Sequence, residues 1–267
     1  MIDRRKFVTG GVAALAGLTL PLLRARAAQA KTLSGISYGA NKLDIYTSGS
    51  DNAPIIVYVH GGAWRMGSRG EGRAVAEAFN PLGYVVVSVG YTLSADAERQ
   101  AREVAQAVAW VRANISKYGG NPDRIAMMGH SAGCHLASLA ALSGLASGVK
   151  ALVANDTGAY DLQYLADIHG GRLPILYGAL NKPAQWRNWS PISYASGAAG
   201  MPVLVAWSGA KFRVQVSTRF ADALAAGGHP VTRFNGSSYS HFSIRSAMSK
   251  HGDRLNTAIA QFLAANI

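Results

Sequence analysis

Cysteine is almost absent: Cys134 is the single thiol in 267 residues, so no internal disulfide can form. The fold must be held by its core, which a chain of this length can build. Acidic residues are also scarce, with 14 Asp/Glu against 26 Lys/Arg, and no carboxylate occurs between Asp167 and Asp222. Neither charge sign forms a long block, and internal repeats and low-complexity tracts are missing, so the composition is globular rather than disordered. The basic residues are scattered without interleaved aromatics, which argues against nucleic-acid binding. Clustered metal ligands and a dinucleotide fingerprint are both lacking, so neither a metal nor another cofactor is expected.

The first 30 residues differ from the rest. Arg4, Arg5 and Lys6 precede an apolar run from Phe7 to Leu23, and "ARAAQA" follows. This is the layout of an export signal, and "RRKF" resembles its twin-arginine form. The reading implies cleavage after Ala27 or Ala30, a mature domain from about residue 31 to 267, and a periplasmic or extracellular location. With its glycines and Pro21, the run is short for a membrane span, so no stable span is expected once the signal is removed. The net charge of +12 includes +4 from this segment, leaving +8 on the body. Such a basic surface could draw in anionic polymers or cell-envelope components.

Beyond the signal, near-continuous apolar runs recur at 54–62, 83–91, 124–131, 149–156, 202–209 and 230–236. Runs of this kind suit strands covered on both faces. Helical patterns lie between them. Val104, Val108 and Val111 share one helix face, Phe220 and Leu224 another, and Leu255, Ile259 and Phe262 line a C-terminal helix. The alternation predicts an α/β sandwich with a mostly parallel sheet and helices on both faces.

Three motifs carry chemistry. "GHSAG" places Ser131 between glycines where a strand gives way to a helix, a turn that exposes the serine oxygen at a helix N-terminus. "HGGAW" follows an earlier strand, so the N–H groups of Gly61 and Gly62, with that of Ala132, are candidates for an oxyanion hole. His241 in "SYSHFSI" follows the last strand, in a loop before the final helix, and is the candidate base. His60 and His130 read as framework residues, His135 as packed or hydrogen-bonded, and His169, His229 and His251 as surface residues. Cys134 reads as a buried, inert space-filler.

Together "YVHGGAW", "GGNPDRIAMMGHSAGCHLASL", "GAYDL", "SPISY", "PVLVAWSG" and "SHFSI" resemble the α/β-hydrolase esterases that bear an H-G-G oxyanion motif. That group includes hormone-sensitive-lipase-like esterases, carbohydrate esterases and arylformamidase-like enzymes. The resemblance implies the α/β-hydrolase fold with a small cap, hydrolysis of a small-molecule carboxylic ester, and a Ser131–His241 pair. It also implies an acid after "PVLVAWSG", where this chain reads "AKFRVQ", with Lys211 and Arg213 in its place, cations that would disfavour the imidazolium formed during attack. Three readings stand. The acid has moved to Asp156, or failing that Asp161, in "ANDTGAYDL"; or a Ser–His dyad works alone; or the fold has become a binding protein. An arylformamidase-like amide hydrolase is a further alternative. Tyr164, Tyr177, Trp186 and Trp189, in the expected cap at 162–194, either line an acyl or sugar pocket or pack the cap. The sequence leaves the substrate and the oligomeric state open.

Overall fold

The computed structural model describes residues 30–197 and 200–267. The expected export signal, residues 1–30, lies outside the described residues apart from Ala30.

Eight strands in the described residues form one sheet: β1 (Thr32–Tyr38), β2 (Asn41–Tyr46), β3 (Ala53–Val59), β4 (Val85–Val89), β5 (Gly120–His130), β6 (Val149–Asn155), β7 (Val203–Ser208) and β8 (Val231–Gly236). Their spatial order is β1-β2-β4-β3-β5-β6-β7-β8. From β4 through β8 neighbouring strands run parallel, while β1–β2 and β2–β4 pair antiparallel. The helices are α1 (Gly72–Phe79), α2 (Ala97–Asn114), α3 (Ala132–Leu142), α4 (Leu162–Asp167), α5 (Trp186–Trp189), α6 (Lys211–Ala226), α7 (His241–Met248) and α8 (Arg254–Asn266).

The central strands are apolar throughout because both faces are covered. Ile55, Val57 and Val59 of β3 join one core layer with Val104, Val108 and Val111 of α2 and Phe220 and Leu224 of α6. Ile56 and Tyr58 turn to the opposite layer, with Val75 and Phe79 of α1 and Leu255, Ile259 and Phe262 of α8. Side chains alternate along a strand, so each face takes every second residue. All six strands expected from apolar runs are present. The β1–β2 hairpin was not expected: it lies at the sheet edge, and β1 is largely half-exposed, so it lacks the continuous apolar signal.

Segment 162–194 forms α4, α5 and short 3-10 turns at Ile175–Leu180, Pro183–Gln185 and Pro191–Tyr194. Tyr177, Trp186 and Trp189 are buried in the core, and the Trp186 indole donates to the Leu180 carbonyl at 2.9 Å. Tyr164 packs beneath the Arg219 guanidinium at 4.9 Å. These contacts are those of cap packing.

Candidate active site

Ser131 occupies the single residue between β5 and α3, with φ 57° and ψ −124°. A non-glycine residue rarely holds a positive φ, and the strain projects its side chain away from the sheet edge. The flanking glycines follow from packing. A Cβ on Gly133 would lie 2.0 Å from the Val59 carbonyl oxygen, and one on Gly129 would lie 2.4 Å from the Gly133 oxygen. The glycines of the G-x-S-x-G spacing therefore let the backbone pass this turn beside β3 without collision.

His241 Nε2 lies 3.0 Å from Ser131 Oγ, and its Nδ1 lies 2.7 Å from Asp156 Oδ2. A carboxylate only accepts, so the proton sits on Nδ1 and the Nε2 lone pair faces the serine. Sequence reasoning put His241 in a loop; it is the first residue of α7. The correction has a local cause: Ser240 and Ser243 form a capping box that starts the helix there.

Asp156 directly follows β6, is fully buried and has φ 56°. The Ser208 N–H at the end of β7 donates to its Oδ1 at 2.9 Å. Burial by itself raises the carboxyl pKa. The His241 hydrogen bond, the Arg213 guanidinium and the Ser208 N–H outweigh it and hold the pKa below the usual carboxylate value. Asp161 is engaged elsewhere: it caps α4 through the Tyr164 N–H at 3.0 Å and pairs with Arg219 at 2.9 Å.

Arg213 corrects a second expectation. From its place in "AKFRVQ" it was read as disfavouring a charged imidazole. Instead it is buried, donates to the Asp156 carbonyl at 3.2 Å and stands 3.6 Å from Oδ2. Its charge meets the acid rather than the imidazole. His130 stacks against the His241 ring at 4.5 Å, and its Nε2–H donates to the His241 carbonyl at 3.0 Å. Burial, then the neighbouring His241, lowers the His130 pKa to about 3, so it is a neutral spacer. His229, read as a surface residue, is buried and bonds the Met201 carbonyl through Nδ1 at 2.8 Å.

The candidate oxyanion loop is held under tension. Gly62, Ala63 and Trp64 have φ of 120°, 49° and 63° in succession. The amides of Gly61 and Gly62 have no acceptor among the described residues, and that of Ala132 opens α3, where helical N–H groups are unpaired. Trp64 fixes the loop's far end. Its carbonyl accepts from the Ser94 N–H and Gln100 Nε2, both at 2.9 Å, and its indole donates to His135 Nδ1 at 3.1 Å. His135 Nε2–H in turn donates to the Trp189 carbonyl at 2.7 Å. Burial lowers the His135 pKa to about 4, which keeps the ring neutral and able to accept. Sequence reading placed His135 as packed or hydrogen-bonded but did not connect it to Trp64. The residues are 71 apart, and only their motifs' shared edge of the sheet could have suggested the pairing. Cys134 is buried, with its pKa raised by burial to about 12.

His130, Asp156 and His241 offer atoms within 4.8 Å of one another, but that cluster is the hydrogen-bonded set above, and a buried guanidinium adjoins the carboxylate. The set suits proton transfer better than cation binding.

The chain is similar to known proteins in sequence and fold. The BD-FAE family model matches residues 43–216. The chain belongs to the BD-FAE family. It is 35% identical to esterase LipQ of Mycobacterium tuberculosis over 193 residues, 62% of this chain and 46% of that protein. It is 30% identical to kynurenine formamidase of Danio rerio over 238 residues, 80% of this chain and 76% of the relative. The chain spans less than half the length of the mycobacterial relatives it matches, from 46% of LipQ down to 23% of esterase LipC. Among solved structures, EstE1, a thermostable carboxylesterase from a metagenomic library, superposes with TM-score 0.69 at 23% identity, covering 90% of this chain and 88% of its own. Esterase B of Lactobacillus rhamnosis gives 0.70 at 18% identity, covering 88% and 85%. The fold is that of the α/β-hydrolases.

Proposed function

We propose that this BD-FAE family member is a serine hydrolase of carboxylic esters. The observation that carries the reading is the continuous chain from Ser131 Oγ to His241 Nε2 at 3.0 Å and from His241 Nδ1 to Asp156 Oδ2 at 2.7 Å. Ser131 attacks the ester carbonyl as its proton passes to Nε2. The tetrahedral oxyanion takes hydrogen bonds from the Gly61, Gly62 and Ala132 amides. The imidazolium then gives its proton to the leaving alcohol, and water repeats the sequence on the acyl-enzyme. Asp156 holds the Nδ1–H tautomer and offsets the charge that forms on the ring. This reading favours the relocated acid over a Ser–His dyad or an inactive fold.

Amide hydrolysis is the second reading, favoured by the similarity to kynurenine formamidase across 80% of the chain. A panel of p-nitrophenyl esters and N-formyl arylamines separates the two. Ester turnover that disappears in Ser131→Ala, together with fluorophosphonate labelling of the parent protein alone, is the expected result. Ester turnover retained by Ser131→Ala would refute the assignment.

A further inference from the structure

Exposed large apolar side chains are not spread evenly over the described surface. They are Met66, Leu82, Leu93, Ile175, Leu176 and Phe242. All but Leu82 lie on segments that follow the carboxyl ends of strands: Met66 after β3, Leu93 after β4, Ile175 and Leu176 after β6, and Phe242 after β8. In a parallel sheet these segments emerge at one edge, the edge that carries Ser131, Asp156 and His241. Single exposed apolar residues need no explanation, but their concentration around one opening does.

Contacts tie these residues to the site. The Phe242 ring packs against the His241 ring at 5.7 Å. The Met66 N–H donates to the Gly62 carbonyl at 2.8 Å and closes the turn, and a Cβ on Gly62 would lie 2.1 Å from the Met66 carbonyl oxygen. Ile175, 99% exposed, and Leu176 lead into buried Tyr177, whose ring lies 5.7 Å from that of Trp64. Arg65 and Lys182 line one groove between the oxyanion loop and this turn. The apolar residues therefore lie along the edge of the sheet that carries the site, Leu93 lining a groove with His60 and Gly67.

Charge selects the occupant. Arg65, Arg172, Lys182 and Lys211 are exposed on the same edge, and none has a carboxylate within 4.0 Å among the described residues. Of the carboxylates nearby, Asp156 pairs with His241 and Arg213, Asp161 with Arg219 and Glu71 with Arg245, while exposed Asp96 and Asp167 accept only from neutral N–H groups and keep their charge, so the four cations outnumber the two free anions. A second copy of the chain would bring two cationic rims together. An apolar rim set among cations instead matches a surface with anionic headgroups above hydrocarbon. We propose that this edge docks onto an anionic lipid surface, with Ile175, Leu176, Met66 and Phe242 inserting and the four cations facing phosphates. Docking would present a lipid-borne ester to Ser131, an extension that rests on the hydrolase reading; the binding itself does not.

Flotation of the full chain with vesicles tests this. Vesicles of phosphatidylglycerol mixed with phosphatidylcholine should carry the protein at least tenfold better than phosphatidylcholine alone, less so in high salt. Ile175→Ser with Leu176→Ser should cut that partition at least tenfold and leave turnover of a soluble ester unchanged. Arg65→Glu and Lys211→Glu should each cut it about fivefold or more. Equal binding to both vesicle types would overturn the proposal. So would full binding by the combined rim variant, which would assign attachment to another segment, such as the apolar run 7–23. A dimer that the rim variant dissociates, without vesicle binding by the parent, would also overturn it. Loss of catalysis in Ser131→Ala with vesicle binding intact separates the docking claim from the hydrolase claim.

Discussion

The His135→Leu substitution tests whether a buried imidazole holds the oxyanion loop. Leucine fills much of the space but offers neither an acceptor for the Trp64 indole nor a donor for the Trp189 carbonyl, now bonded at 3.1 and 2.7 Å. Each buried group left without a partner costs roughly 1–3 kcal/mol, so the fold is expected to lose about 2–6 kcal/mol, or on the order of 10 °C in Tm. The loop also stores strain. Ala63 and Trp64 sit at φ 49° and 63°, and such residues cost of order 1–3 kcal/mol each unless their surroundings hold them. Releasing Trp64 lets the loop relax, and the Gly61 and Gly62 amides then move off the oxyanion. Losing one oxyanion donor costs about 10²–10³ in kcat. The expected result with p-nitrophenyl acetate is a kcat fall of that order, with KM changed only a few-fold. Affinity for a trifluoromethyl ketone, which mimics the tetrahedral state, should fall in parallel. His135→Gln, which supplies both an acceptor and a donor, should restore much of the loss. Trp64→Phe removes the indole donor while keeping a ring, and it serves if the leucine variant does not fold. A folded His135→Leu protein with kcat within twofold of the parent would refute the reasoning.

The remaining predictions concern the acid and its surroundings. Asp156→Asn should lower kcat by about 10⁴, because an amide can hold the wrong imidazole tautomer; steady-state kinetics check this, and an unchanged rate would make the contact incidental. Arg213→Met should destabilise the fold by roughly 3–5 kcal/mol in urea unfolding, because it leaves a buried carboxylate without its cation; equal stability would show that His241 and Ser208 suffice. Acid should unfold the protein early. His130 and His135 titrate at about 3 and 4 when folded, against 6.5 as the unperturbed value. The unfolded chain therefore binds more protons between those values, and stability falls as pH drops below about 6.5, by up to roughly 1.4 kcal/mol per pH unit for each ring. The depressed Asp156 pKa adds a further loss only below its unperturbed 3.8. Denaturation midpoints measured from pH 7 to 4 check the slope, and a flat profile would contradict it.

The sequence by itself determined the strands buried on both faces, because continuous apolar runs have few other uses. It also made the Ser131 turn legible through the glycines two residues to either side, although only Gly129 is required by the turn's own backbone; Gly133 clears the Val59 carbonyl of β3. The pairing of His241 with Asp156 was legible only as one of several choices, since 85 residues separate them and two carboxylates stood in the same segment. Tertiary structure decided between those: Asp161 caps a helix and pairs with Arg219, while Asp156, at a strained φ beside β7, turns toward the imidazole. It also reversed the meaning of Arg213, whose charge was visible but whose direction was not. The Trp64–His135 contact left no pattern in the chain, because its two halves are single residues on separate elements. Periodicity reports which face of an element is buried, but a contact between two buried side chains depends on how those elements are laid against each other.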